Sequence, residues 1–103
     1  MKIADITDEA IAKSYRNADP DWLRIAFTEG IQLALDQDEF TTDDLWERME
    51  EHHPKVTTHE HRAMGSVIRK LKADNAIRPT TYYRPSRRAS RHGAPIRVWR
   101  SML

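Results

Sequence analysis

The chain contains no cysteine, so a disulfide framework and thiolate metal sites are both excluded. It has no apolar run of membrane-helix length. Its first ten residues, MKIADITDEA, lack the apolar core of a secretory signal. There is no P-loop, no dinucleotide fingerprint and no Ser/His/Asp spacing tied to a nucleophile elbow. These absences lead us to expect a cytoplasmic, non-enzymatic protein with no cofactor and no membrane association.

Acids are also missing from one long stretch. Tyr82 to Trp99, YYRPSRRASRHGAPIRVW, carries Arg84, Arg87, Arg88, Arg91 and Arg97 and no Asp or Glu. The whole chain is nearly neutral, at +1, but its halves are not. Residues 1–54 hold five Lys/Arg against fourteen Asp/Glu, a net −9; residues 55–103 hold twelve against two, a net +10. Such asymmetry points to a polyanion partner for the basic half. The plainer reading is that the two halves attract each other.

At 103 residues, with 39% apolar and 32% charged residues, the chain suits one small domain with a modest core. Thr7 or Asp8 starts a short helix to about Arg16, making residues 1–18 an N-terminal helical extension to a domain over 19–103. In DPDWLRIAFTEGIQLALDQ, Asp19 is a good N-cap and Pro20 suits the first helical position. Trp22, Leu23, Ala26, Phe27, Gly30, Ile31 and Ala34 follow the helical period. Ile25 and Leu35 lie off that stripe and suggest a second packing side, supplied by the first helix or by a second subunit.

A short extended link leads to TTDDLWERMEEHH, capped by Thr41 or Thr42 and ended by Pro54. Its acids are expected to serve the helix's positive end and solvation. Thr57 and Glu60 have capping-box spacing, which predicts a helix over about 57–74 with Met64, Val67, Ile68 and Leu71 inward. Thr58, His59, Arg62, Ser66, Arg69 and Lys70 are placed on or beside its outer face, and Gly65 is expected to let two helices approach closely. Asn75 sits where a left-handed cap belongs. From Ile77 the residues favour strands, with prolines that confine pairing to edges or ends. The pattern is strand, basic loop of about ten residues, strand. Tyr82, Tyr83 and Trp99 are expected to pack on the helices.

The elements from Trp22 to Trp99 together resemble a winged helix-turn-helix domain, mostly α with a small β-hairpin. More narrowly, Arg62, Ala63 and Gly65, then Ser86, Arg88, His92, Pro95, Val98 and Trp99, are similar to the R-A-x-G and S-x-R…H-x-x-P…V-W pattern of small winged-helix proteins of actinobacterial phages and prophages. The resemblance implies a double-stranded DNA-binding protein, a phage regulator or replication accessory in the bacterial host cytoplasm or nucleoid. The helix over about 57–74 would enter the major groove, with Thr58, His59, Arg62, Ser66, Arg69 and Lys70 as its contacts. The wing over 84–93, with Arg84, Arg87, Arg88 and Arg91, would lie on backbone or minor groove.

An alternative is a protein-interaction module, in which the acidic half or the winged helix binds a host or partner protein. The N-terminal helices, with Ile25 and Leu35, are a candidate homodimer face. His52, His53, His59 and His61 fall within ten residues, but adjacent helical histidines point apart and Pro54 separates the pairs, so no metal is expected.

Overall fold

The computed structural model describes residues 20–58 and 61–103. The expected helix over 1–18, the cap at Asp19, His59 and Glu60 lie outside the described residues. The elements are α1 (Pro20–Asp36), β1 (Glu39–Phe40), α2 (Thr42–His52), α3 (Ala63–Ala73), β2 (Ile77–Pro85), a 3-10 turn (Ala89–Arg91) and β3 (Pro95–Ser101). They form a small α+β fold of three helices and a three-stranded antiparallel sheet, in the order β1-β3-β2.

α1 starts at Pro20, the position where a missing N–H costs least. It buries Trp22, Leu23, Ala26, Gly30, Leu33 and Ala34 against α2 and α3. Ile25 is half-buried against the core, whereas Leu35 is exposed. Gly30 is needed for the approach of α3: a Cβ there would sit 2.6 Å from Leu71 Cδ1. The expected role of Gly65 is thereby corrected. Gly65 is exposed, and a Cβ on it would meet nothing within 4 Å among the described residues. Close packing belongs to the glycine facing Leu71.

α3 ends as its sequence predicts. Asn75 has φ 60°, and the Ala76 and Asn75 N–H groups donate to the Leu71 and Lys72 carbonyls at 2.9 and 3.0 Å. That double bond pattern satisfies carbonyls the helix leaves open. The start of α3 differs from expectation. Thr57 and Thr58 are not helical, and Arg62, with φ −68°, precedes the first helical residue, Ala63. Val56 packs against the core in a non-helical segment and donates to the His53 carbonyl at 3.0 Å. The described helix thus starts after the segment that the capping spacing marked.

β1 converts the expected two-stranded hairpin into a three-stranded sheet, pairing Glu39 with Arg100 and Phe40 with Trp99. Phe40 is fully buried, which gives two residues enough reason to be a strand. β2 is the edge that Pro79 requires, and Pro85 and Pro95 fall at strand ends. Its ladder is irregular between Pro79 and Tyr83, where the Thr80 hydroxyl donates to the Val98 carbonyl at 2.7 Å. Tyr82 and Tyr83 do not pack on the helices. Only Ile77 of β2 is buried, so both rings lie outward, Tyr83 under the Arg97 guanidinium at 4.9 Å. Trp99 does pack against the core.

α1 and α2 are also tied by charge. The His52 and His53 rings both reach Glu29 Oε1, at 3.1 and 3.0 Å. The expected divergence of the two rings is corrected here, because His53 has already left the helix with φ −136° and ψ 57°. Beside them Arg48 donates to Asp36 at 2.8 Å. Burial pushes the Glu29 carboxyl up, but hydrogen bonds from both histidines and their charge outweigh it and hold it below its ordinary value.

Two outcomes follow from this packing. Gly30→Ala is expected to destabilise by about 1–3 kcal/mol, since the buried Leu71 methyls have no solvent side to move into; chemical denaturation measures it. A lowered carboxyl pKa gives stability that is present above the unfolded value and lost as pH falls through the folded one. Thermal stability should therefore drop on acidification below about 4.5, the ordinary Glu29 value, and the drop should be smaller in Glu29→Gln.

Candidate functional site

The loop between β2 and β3 is a built structure. The Ser86 N–H donates to the Ala94 carbonyl at 2.9 Å and closes its neck. A 3-10 turn follows, then His92 and Gly93 in left-handed backbone at φ 50° and 75°. Glycine has no penalty there, and histidine is an uncommon occupant.

The loop is fastened to α2 through Asp43. This carboxylate, in the first turn of α2, is 1% exposed. The Ser86 hydroxyl lies 3.0 Å from each of its oxygens, and the Arg87 backbone N–H donates to it at 2.6 Å. The Ser86 oxygen in turn accepts from the Arg88 N–H at 3.2 Å. A buried charge needs such donors, and the helix's N-terminal end favours it as well. The next acid has a different task. Asp44 accepts from the Thr41 N–H at 2.8 Å, confirming Thr41 as the cap.

This fastening brings two of the loop arginines to α2. The Arg87 guanidinium contacts Asp44 and Glu47, each at 2.8 Å, and those hydrogen bonds hold it above the usual guanidinium range. Arg88 contacts Glu50 at 2.7 Å and lies over the Trp46 ring, 5.0 Å from its centroid. The acids of α2 therefore do more than serve the helix end and solvation: they receive the basic loop. Arg84 and Arg91 are exposed, and neither has an ion-pair partner among the described residues.

On α3 the outward face is narrower than expected. The buried positions Ala63, Met64, Ser66, Val67, Ile68 and Leu71 span about 200° of the helical wheel at 100° per residue. Ser66 is buried, not outward, because α3 is covered on more than one side. Arg62, Gly65 and Arg69 remain exposed, and so does Lys72, three positions beyond Arg69. Lys72 escaped the sequence reading although its spacing from Arg69 places it on the same face. Lys70 is exposed at the flank, 5.0 Å over the Phe27 ring and 3.5 Å from Asp74. Thr58 is half-buried and outside the helix.

The structure thus brings Gly65 of α3 and Arg91 of the loop to one cleft, and turns Arg87 and Arg88 away to α2. Among the described residues, no group of three or more His, Asp or Glu side chains is arranged to hold a metal ion, and no helix is long and apolar enough to cross a membrane. The Asp43–Ser86 contact was not foreseen. Its only sequence signal is a second acid in TTDD, beyond the one an N3 cap uses.

Magnitudes separate the two kinds of loop contact. Removing Asp43 strands two donors, and Asp43→Ala should cost roughly 2–4 kcal/mol and speed exchange of the loop amides. Arg87→Ala removes pairs that are half-exposed and screened, and should cost under about 1 kcal/mol. Urea melts and amide hydrogen exchange distinguish the two. Compared with protein-family models, with curated proteins and with solved structures, the chain matches none.

Proposed function

We propose that the chain is a winged helix-turn-helix protein that binds double-stranded DNA. The observation carrying this reading is the exposed cationic side of α3, with Arg62, Arg69 and Lys72, on a helix whose Gly65 shares a cleft with the exposed Arg91 of the basic loop. The order of elements supports it: three helices with a short strand between the first two, then two paired strands joined by a basic loop. In this reading α3 lies in the major groove and Arg62 and Arg69 address bases, which arginine does by bidentate contact to guanine. Arg84 and Arg91 hold phosphates. Arg87 and Arg88 shape the wing and do not grip the backbone.

The α2 acids also bear on a partner protein docking at the acidic half. Asp44, Glu47 and Glu50 already receive Arg87 and Arg88. A basic partner would have to displace those arginines first. Leu35 remains an exposed apolar residue for a second copy, while Ile25 is committed to the core.

Selection from a random duplex pool at two salt concentrations tests the reading. Binding should weaken steeply with salt as counterions are released. Arg84→Ala with Arg91→Ala should weaken binding to all sequences and reduce the salt slope by about 2, one per lost phosphate contact. Arg62→Ala with Arg69→Ala should cost about 1–3 kcal/mol per lost base contact and broaden the selected motif. Failure to shift any duplex at low salt would refute DNA binding.

A further inference from the structure

A cleft of about 330 Å³ opens between α2, the start of α3 and β3. Trp46, Met64, Ile96 and Trp99 give it apolar walls, and Arg91 and Arg97 line it as well, with no carboxylate among the described lining residues. Among the described residues the Arg97 guanidinium donates to neutral groups, the Thr80 carbonyl and the Tyr83 hydroxyl. Its charge and that of Arg91 are thus left without an anion among the described residues. Trp22 and Trp46 face each other at 5.5 Å, but Trp99, half-buried, has no ring or cation partner among the described residues. Aromatic surface beside unneutralised guanidinium groups suits a planar, anionic ligand.

Gly65 lies at the edge of the same cleft. A glycine inside a helix costs about 1 kcal/mol relative to alanine. Gly30 has a packing reason in Leu71; Gly65 has none among the described residues. What a bare backbone offers there is close approach by a ligand.

Chemistry and size narrow that ligand. A phosphate alone has no use for tryptophan and methionine walls, and a base stacked in an intact duplex cannot reach them. A volume at the lower end of small-molecule sites fits one base with its sugar and phosphate. We infer that the cleft takes one unstacked nucleotide, its base against Trp99 and Met64 and its phosphate toward Arg91. The inference rests on the DNA-binding reading, with the nucleotide belonging to the strand that α3 and the loop hold. It makes the protein selective for duplexes with an unpaired base.

The test compares an intact duplex, the same duplex with a single unpaired adenine, and free deoxyadenosine monophosphate, by fluorescence anisotropy and tryptophan quenching. The unpaired duplex should bind about 10-fold more tightly than the intact one, within what stacking on an aromatic supplies, and it alone should quench strongly. Gly65→Leu puts a side chain at the edge of the cleft, where a Cβ meets nothing within 4 Å among the described residues. It should hold or raise the thermal stability of the parent, since a helical glycine is replaced, and lose the preference for the unpaired duplex. Equal affinity for both duplexes overturns the inference and leaves DNA binding standing. Binding to neither duplex overturns both. A preference that survives Gly65→Leu refutes the cleft as its source, and quenching by the free nucleotide without any duplex preference refutes a strand-borne ligand.

Discussion

The buried Asp43 carboxylate is the constraint on which the candidate site depends. A charge taken out of water is tolerated only with donors around it. Here those donors come from Ser86 and the Arg87 backbone, at the far end of β2. Satisfying one carboxylate in α2 therefore fixes where the loop between β2 and β3 begins. Because Ser86 also pairs with Ala94, the loop's return is fixed with it. The backbone of Arg87 and Arg88 is held by a carboxylate and its serine partner, which the sequence presents as one acid and one serine among many.

Part of the charge asymmetry of the chain is met inside the fold, where Arg87, Arg88 and Arg100 of the basic half reach acids of the other half. Glu29 receives two histidines, Asp36 receives Arg48, Glu39 receives Arg100, and Asp44, Glu47 and Glu50 receive Arg87 and Arg88. Most of these groups are partly exposed, where each pair adds little to stability. Their main consequence is placement. They tie Arg87 and Arg88 of the basic loop to α2, while Arg84 and Arg91 are exposed without an ion-pair partner among the described residues. An arginine-rich loop thus contains two populations: one completes the fold, the other is available to a ligand. The same division separates the glycines, with Gly30 accommodating Leu71 and Gly65 leaving backbone open at the cleft.

The features legible in the sequence are those decided within a few residues. Proline at the start of α1, the threonine cap of α2 and the left-handed Asn75 depend on local backbone chemistry, and all three stand as expected. The prolines of β2 and β3 likewise announced an edge and strand ends. Legibility failed where a distant partner decided. Thr57 and Glu60 have a capping pattern, yet Val56 is held on the core and α3 starts at Ala63. Ser66 falls on the polar side of a simple wheel, yet more than half of α3 is covered. His52 and His53 would diverge on a continuous helix, yet the helix ends between them and both rings meet Glu29.

Taken alone, the sequence determined the helices of a small α+β domain, the strand-like character of its C-terminal segment and the separation of acidic from basic halves, because periodicity, caps and charge are properties of neighbouring residues. Only the tertiary structure decided the third strand, the fastening of the basic loop to α2 and the identity of the arginines that remain outward. Those depend on contacts such as Asp43 with Ser86 and Phe40 opposite Trp99, between residues far apart in the chain. No local pattern encodes such a contact, since each partner alone looks like an ordinary surface serine, helix-end acid or strand aromatic.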